Sequence, residues 1–198
     1  MPAILHHQVR DWPDRRGTRA SSPARSRHCG WVMCGSIRAR LQLERRTRDL
    51  ALFNLAIDSK LRGCDLVAVR VDDVAPNGYA IDRATVRQRK TGRPVRFELT
   101  EVTRQAVDDY LRASGLMPSQ CLFPGHVGPD RPMTTRQYAR LVSQWVRGIG
   151  LDPLKYATNS MRRTKATLIY RRTGNLRAVR YLGVEVDDVL EIAEKIEV

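Results

Sequence analysis

The sequence predicts a mainly α, α+β fold: a helical domain carrying a small three-stranded antiparallel sheet. Three observations lead there. An amphipathic helical period runs from Thr47 to Ser59, turn-punctuated β-like runs follow between Val69 and Leu99, and helical patterning then returns for most of the remaining chain. Regularity begins only at Ile37. Residues 1–36 scatter Arg, Ser, Pro, Trp and Cys without an apolar period, and read as a basic, disordered arm ahead of a domain spanning 37–198.

Within that domain, Leu50, Phe53, Leu55 and Ile57 lie among charges over Thr47–Ser59 and define the first clear helix. A turn at Leu61-Arg62-Gly63 leads into a short second helix, Cys64–Val69. Val69–Val74 reads as a strand, turned by Ala75-Pro76-Asn77-Gly78, since Asn-Gly is a strong hairpin signal. Tyr79–Arg87 alternates as a second strand, Lys90-Thr91-Gly92 turns the chain, and Pro94–Leu99 completes the sheet. Thr100 caps a helix to Ser114 with Val102, Ala106, Val107, Tyr110 and Leu111 inward. Gly115–Pro132 reads as a long loop, and Thr134 or Thr135 caps a helix to Gly148 whose Leu141, Val142 and Trp145 face the core. Ser160 opens a helix that Thr173-Gly174 ends, and Asn175–Leu182 and Glu185–Ile196 are two final helical stretches.

Composition narrows the function classes. Lys and Arg number 35 against 21 Asp and Glu, a formal net charge of +14, which favours a polyanionic partner. Ribosomal proteins and membrane-surface binders share such a balance, so charge alone does not choose. No apolar run has the length of a membrane span, and the charged, Pro-broken N-terminus does not pattern as a secretory signal. Cys29, Cys34, Cys64 and Cys121 form neither a disulfide framework nor paired C-x-x-C zinc spacing. The expectation is a cytoplasmic protein, associated with the nucleoid, binding neither membrane nor small-molecule substrate.

Three local features carry chemistry only as a set. Arg62 sits at the junction of two helices, Lys90 at a hairpin tip in RKTGR, and Asn159-Ser160-Met161-Arg162-Arg163-Thr164 opens a helix with Tyr181 downstream. Singly, each is most simply a solvated surface group. Arg163 and Lys165 read as contacting solvent by default, with phosphate as the alternative. His126 in PGHVG matches no motif, and FPGHVGPD lacks the spacing of a nucleotide-binding loop.

In their order, these features resemble the tyrosine recombinase, or phage-integrase, family, over roughly Arg38 to Val198. That family places an Arg in a G-L-R-x-x-E-L-x-x-L context, a Lys on a β-hairpin, H-x-x-R at a helix start, an L-G-H segment and a C-terminal Tyr nucleophile. SKLRGCDLVAVRVDDV, RQRKTGRPVRFEL, TNSMRRTKAT and VRYLGVEVDD match these contexts in turn. The resemblance implies Arg62 and Arg162 as the phosphate-clamping arginines, Lys90 as the general acid, Asn159 at the His position and Tyr181 as the nucleophile. It implies double-stranded DNA as partner, self-association on DNA, and a 3′-phosphotyrosine intermediate that needs neither metal nor nucleotide cofactor. The residue types suit that chemistry. Arg offers fixed, permanently charged bidentate donors for charge building on the non-bridging oxygens, and Lys can protonate the leaving oxygen. Tyr, with an ordinary pKa near 10, needs a cationic pocket or a base to act as a nucleophile.

Three departures bear on activity. Asn159 cannot shuttle a proton near neutral pH as His does. The L-G-H segment is absent, which looks like an internal deletion: Asn175–Val179 runs directly into Arg180-Tyr181. A helix from Arg162 to Thr173 measures about 16 Å, and the eight residues Gly174–Tyr181 span about 26 Å extended but only about 12 Å as helix. Tyr181 therefore returns to its own pocket only if its stretch is extended; otherwise it serves a neighbour in trans or cis activity is lost. The N-terminal helical domain that clamps DNA in the family is also expected to be missing, with weaker DNA binding as the consequence. The sequence leaves three readings: an active recombinase, a catalytically impaired DNA-binding relic or regulator of the same family, and an unrelated basic RNA-binding protein.

Overall fold

The computed structural model describes residues 30–173. Helix α1 (Trp31–Leu43) precedes α2 (Thr47–Ser59), which is the spine of the domain: every residue from Ala51 to Ser59 is buried. Helices α5 (Glu101–Ser114) and α7 (Thr158–Thr173) pack along α2, and α6 (Thr135–Gly148) joins them through Trp145 and Val146. The Trp145 ring meets Phe53 of α2 edge-on at a centroid distance of 5.6 Å, and its indole N–H donates to Asp49 Oδ2 at 3.2 Å. Asp49 also receives the Arg46 guanidinium, so this carboxylate, buried at the start of α2, is paired on two sides.

The helical elements follow their local chemistry. The α5 run begins at Thr100 and ends at Gly115, whose φ of 65° is the left-handed conformation that glycine adopts without a Cβ penalty. Thr134 caps α6: its hydroxyl accepts from the Gln137 amide while Gln137 accepts from the Thr134 amide, a reciprocal capping box. Helix α7 starts at Thr158, two residues before Ser160, whose hydroxyl instead accepts the Ala157 amide of the approach.

The mainly helical α+β expectation holds, and the sheet differs in detail. Strands β1 (Arg83–Arg87) and β2 (Pro94–Glu98) form one antiparallel pair, and β3 (Pro124–Gly125) with β4 (Gly128–Pro132) forms a second. The run expected as a first strand contains a helical turn, α4 (Val71–Val74), preceded by another, α3 (Gly63–Leu66). Val71 and Val74 are buried three residues apart, while the Asp73 carboxylate accepts the Arg70 amide at 2.8 Å. An apolar spacing of three with an acceptor at the third helical position favours a turn of helix over an extended strand. The chain still reverses at Asn77-Gly78, where Gly78 has φ 83°. The loop expected over Gly115–Pro132 contains the short second hairpin, folded against α3 and α4 by a bridge between Arg70 and Cys121.

Two assignments are corrected. Helix α1 begins at Trp31 and buries Met33 and Cys34 in the core, so the domain starts ahead of Ile37 and residues 31–36 are not part of a patternless arm. Val102 is exposed and Thr103 is buried, because the slot beneath α5 is polar: the Thr103 hydroxyl donates to Asp58 at 2.6 Å. Leu141 packs half-buried against the core, with Val142 and Trp145 fully inside it.

Candidate nucleic-acid site

Arg62 is fixed by the exit from α2. Lys60 ends that helix in the left-handed conformation (φ 56°, ψ 19°), which turns the chain sharply so that Arg62 becomes the N-cap of α3 in extended geometry. A non-glycine residue in that conformation is uncommon and costs about 1–2 kcal/mol. The Arg62 guanidinium is half-buried and donates to Gln88 Oε1 at 3.2 Å, at the end of β1. Gln88 Oε1 also accepts the Thr91 hydroxyl at 2.6 Å, and Asp65 Oδ1 of α3 accepts the Arg89 amide at 2.9 Å. Two hydrogen-bonded links therefore tie the β1–β2 hairpin to the Arg62 junction.

Lys90 is exposed on the turn that follows, which closes with Gly92 at φ 66° and its amide on Gln88 O at 2.8 Å. Arg87, Arg89, Arg93 and Arg96 are exposed around it, so the hairpin presents a concentrated positive surface.

Arg162 arrives from the other side. It lies in the second turn of α7, and its Nε donates to the Lys60 backbone carbonyl at 3.0 Å, two residues before Arg62. A Cβ built on Gly63 would lie 3.8 Å from Thr158 Cβ and 3.4 Å from the Tyr138 ring. The first turn of α7 therefore stands directly against the Arg62-Gly63 junction, and Asn159 is exposed in that first turn. Arg62, Arg162 and the base of the Lys90 hairpin are thus linked through one backbone junction. Tyr181 lies outside the described residues, as do the two final helical stretches from Asn175, the Cys29 position and the arm up to Cys29.

Arg163 and Lys165 do not have the solvent-facing placement the sequence suggests by default. Arg163 is buried, and the Lys165 ammonium donates to Asp58 Oδ1 at 2.9 Å beneath the surface. Asp58 Oδ2 in turn accepts the Thr100 amide at 2.8 Å, the Thr100 hydroxyl at 2.7 Å and the Thr103 hydroxyl at 2.6 Å. Burial alone pushes the Asp58 carboxyl up; the Thr103 hydroxyl, the Lys165 ammonium and Thr100 outweigh it and hold the group below the ordinary carboxylate range. Lys60 shows the opposite balance. Burial first, and repulsion from Lys165 second, lower its ammonium to about 8, against partial compensation by Asp58 and Glu98.

Asp58, Lys60 and Gln88 are the structural partners that motif reading alone passes over. Asp58 is a carboxylate in the last turn of a helix buried along most of its length, and Asp65 is an acid three residues after Arg62. Nothing in the sequence marks Gln88. His126 is exposed at the tip of the second hairpin. Among the described residues no group of three or more His, Cys, Asp or Glu side chains is placed to hold a metal ion, and no helix is long and apolar enough to cross a membrane. Chemically, the arrangement offers permanently charged planar donors beside a flexible ammonium, suited to a phosphodiester.

Comparison with known proteins specifies the class of this helical domain with its basic hairpin. The model of the phage integrase family matches residues 38–184, and the chain belongs to that family. It is 28% identical over 129 residues to the tyrosine recombinase XerC of Caldanaerobacter subterraneus subsp. tengcongensis, covering 64% of this chain and 34% of that protein. The chain thus spans about a third of its curated relative. Among solved structures, XerA recombinase superposes with a TM-score of 0.64 at 16% identity, over 89% of this chain and 66% of the other. XerH bound to a palindromic difH substrate, in a post-cleavage complex, gives 0.67 at 16% identity, over 83% and 48%. Lambda integrase bound to DNA gives 0.61 at 15% identity, over 85% and 59%. At these identities the superpositions establish the fold.

Proposed function

We propose that this chain acts on double-stranded DNA as the catalytic domain of a site-specific tyrosine recombinase, breaking and rejoining strands through a 3′-phosphotyrosine. The observation that carries the reading is the convergence of Arg62, the Lys90 hairpin and Arg162 on the junction at Lys60–Gly63. Arg62 and Arg162 hold the scissile phosphate through its non-bridging oxygens, where negative charge builds in the transition state. The Tyr181 oxygen gives up its phenolic proton to solvent and attacks phosphorus, the P–O bond to the 5′-oxygen breaks, and Lys90 protonates that leaving oxygen. The energy of the broken ester is conserved in the protein–DNA bond, so rejoining reverses the step. The catalytic domain runs from α1, which begins at Trp31 and buries Met33 and Cys34, to residue 198; the chain ahead of it is the basic arm, and copies associate on DNA.

One observation favours a second reading, an impaired DNA-binding relative of the family. Asn159, where the family pattern has His, is exposed in the first turn of α7, next to Thr158, which stands against the Arg62-Gly63 junction. An amide there can hydrogen-bond a phosphate oxygen but cannot deliver a proton. Incubation with nicked duplex DNA from the candidate attachment region, followed by a denaturing gel, separates the two. A covalent protein–DNA band that is lost in Tyr181→Phe supports strand transfer. Salt-sensitive binding without a band supports the impaired reading, and absence of DNA binding contradicts both.

A further inference from the structure

Helix α7 is gripped by the end of α2 at two adjacent points. Arg162 donates to the Lys60 carbonyl at 3.0 Å, and Lys165, three residues further and on the same side of the helix, donates to Asp58 at 2.9 Å. Asp58 is itself held by Thr100 and Thr103 at the start of α5, through three hydrogen bonds of 2.6–2.8 Å. Its carboxylate is therefore immobilised before Lys165 reaches it, and its side chain is only 3% exposed.

We propose that Asp58 and Lys165 are positioning residues: their buried pair sets the placement of α7 on α2, and so aims the Arg162 guanidinium across the Lys60 carbonyl toward Arg62. The inference rests on the reading of Arg162 as a phosphate ligand. The geometry supports it in three ways. The pair and the Arg162 bond bracket less than one turn of α7, so a rotation or slide of that helix breaks both. A buried ion pair is a poor source of net stability, and in some proteins such a pair selects one arrangement of the elements it joins. Finally, Lys165 is turned away from solvent into the helix interface, with its side chain 23% exposed, whereas an ammonium that contacts DNA directly would be presented outward.

The test is a double-mutant cycle on the affinity of the full chain for a fixed duplex at fixed salt, with urea unfolding run on every variant. Lys165→Met keeps the side-chain stem and removes the charge, and Arg162→Gln removes the phosphate ligand. Lys165→Met is expected to weaken binding by about tenfold in the wild-type background and to have no further effect in Arg162→Gln, since neighbours acting through one group are non-additive. Asp58→Asn is expected to weaken binding in the same way, although it removes a negative charge. A residue serving stability alone would lower the unfolding midpoint and leave the affinity of the folded fraction unchanged. Equal losses from Lys165→Met in both backgrounds, tighter binding by Asp58→Asn, or unchanged affinity in Lys165→Met would each overturn the positioning role. Unchanged affinity in Arg162→Gln would overturn the phosphate-ligand reading itself, and the positioning role with it. The doubly neutral Asp58→Asn/Lys165→Met protein covers the case in which a lone buried charge prevents folding: affinity at the wild-type level in that protein contradicts the proposal.

Discussion

Lys60→Met isolates an electrostatic penalty built into the candidate site. Lys60 is 8% exposed, in a left-handed backbone conformation, close to Lys165 and partly compensated by Asp58 and Glu98. Burial lowers its ammonium from 10.5 to about 8. Between those two values the unfolded chain carries a proton that the folded chain has released, so folding stability rises with pH across that window. At about 1.4 kcal/mol per pH unit, the charged Lys60 costs the folded protein about 3 kcal/mol at neutral pH, and the penalty fades toward pH 10. Met preserves the apolar stem and the backbone carbonyl that Arg162 uses. Lys60→Met should therefore be more stable than wild type by about 1–3 kcal/mol at pH 7, with the difference closing by pH 10. Urea unfolding followed by tryptophan fluorescence at pH 7, 8, 9 and 10 measures it. Burial also raises the Cys121 thiol and the Tyr110 and Tyr138 phenols, which reduces stability at alkaline pH. Those groups are common to both proteins and cancel in the difference. A stability difference that stays constant from pH 7 to pH 10 would refute the reasoning, because it would mean that Lys60 titrates as it does in the unfolded chain.

Other consequences are equally direct. Trp145→Phe removes the indole donor to buried Asp49 and shrinks the edge-on contact with Phe53, so it should cost about 1–3 kcal/mol in chemical unfolding. Asp65→Ala frees the Arg89 amide from its acceptor, and hydrogen exchange should report faster exchange at Arg89 and loss of hairpin order, while α6 is unchanged. Gly115→Ala places a Cβ at φ 65° and should lower stability by about 1 kcal/mol. Asn159→His restores a side chain able to carry a proton near neutral pH, and should raise the yield of covalent adduct on nicked DNA without changing duplex affinity more than a few-fold.

Much of the helical frame is legible in the sequence because its signals are local. Thr47–Ser59, the Thr100 and Thr134 starts and the Gly92 and Asn77-Gly78 turns coincide with observed elements. The failures have two causes, a local cap that outweighs β-branched composition and a tertiary partner that overrides the apolar period. Val71–Val74 has the β-branched composition of a strand, yet two buried valines and the Asp73 cap make it helical. Val102 is the apolar residue of the α5 start, yet Thr103 takes the inward position because Asp58 lies beneath it. The candidate site shows the same division. Arg62, Lys90 and Arg162 are visible as motif positions, whereas the contacts that link them fall on Gln88, Asp65, Lys60 and Asp58. Asp65 falls on the acid of the R-x-x-E context, whereas Lys60 through its carbonyl, Gln88 through its side-chain amide and Asp58 through its pair with Lys165 reach partners far apart in sequence, and no spacing rule exposes them.

The most direct test of the central claim, that Arg62 and Arg162 clamp phosphate at the α2–α3–α7 junction, is the salt dependence of duplex DNA binding. Affinity is measured from low to moderate salt for wild type and for the Arg62→Gln/Arg162→Gln double variant, with folding of both verified. The account predicts weaker binding by the variant at every salt concentration and a log–log slope shallower by about 1, because the two arginines share one scissile phosphate and the counterion it releases. An unchanged affinity with an unchanged slope would place the DNA on another face of the protein and contradict the claim.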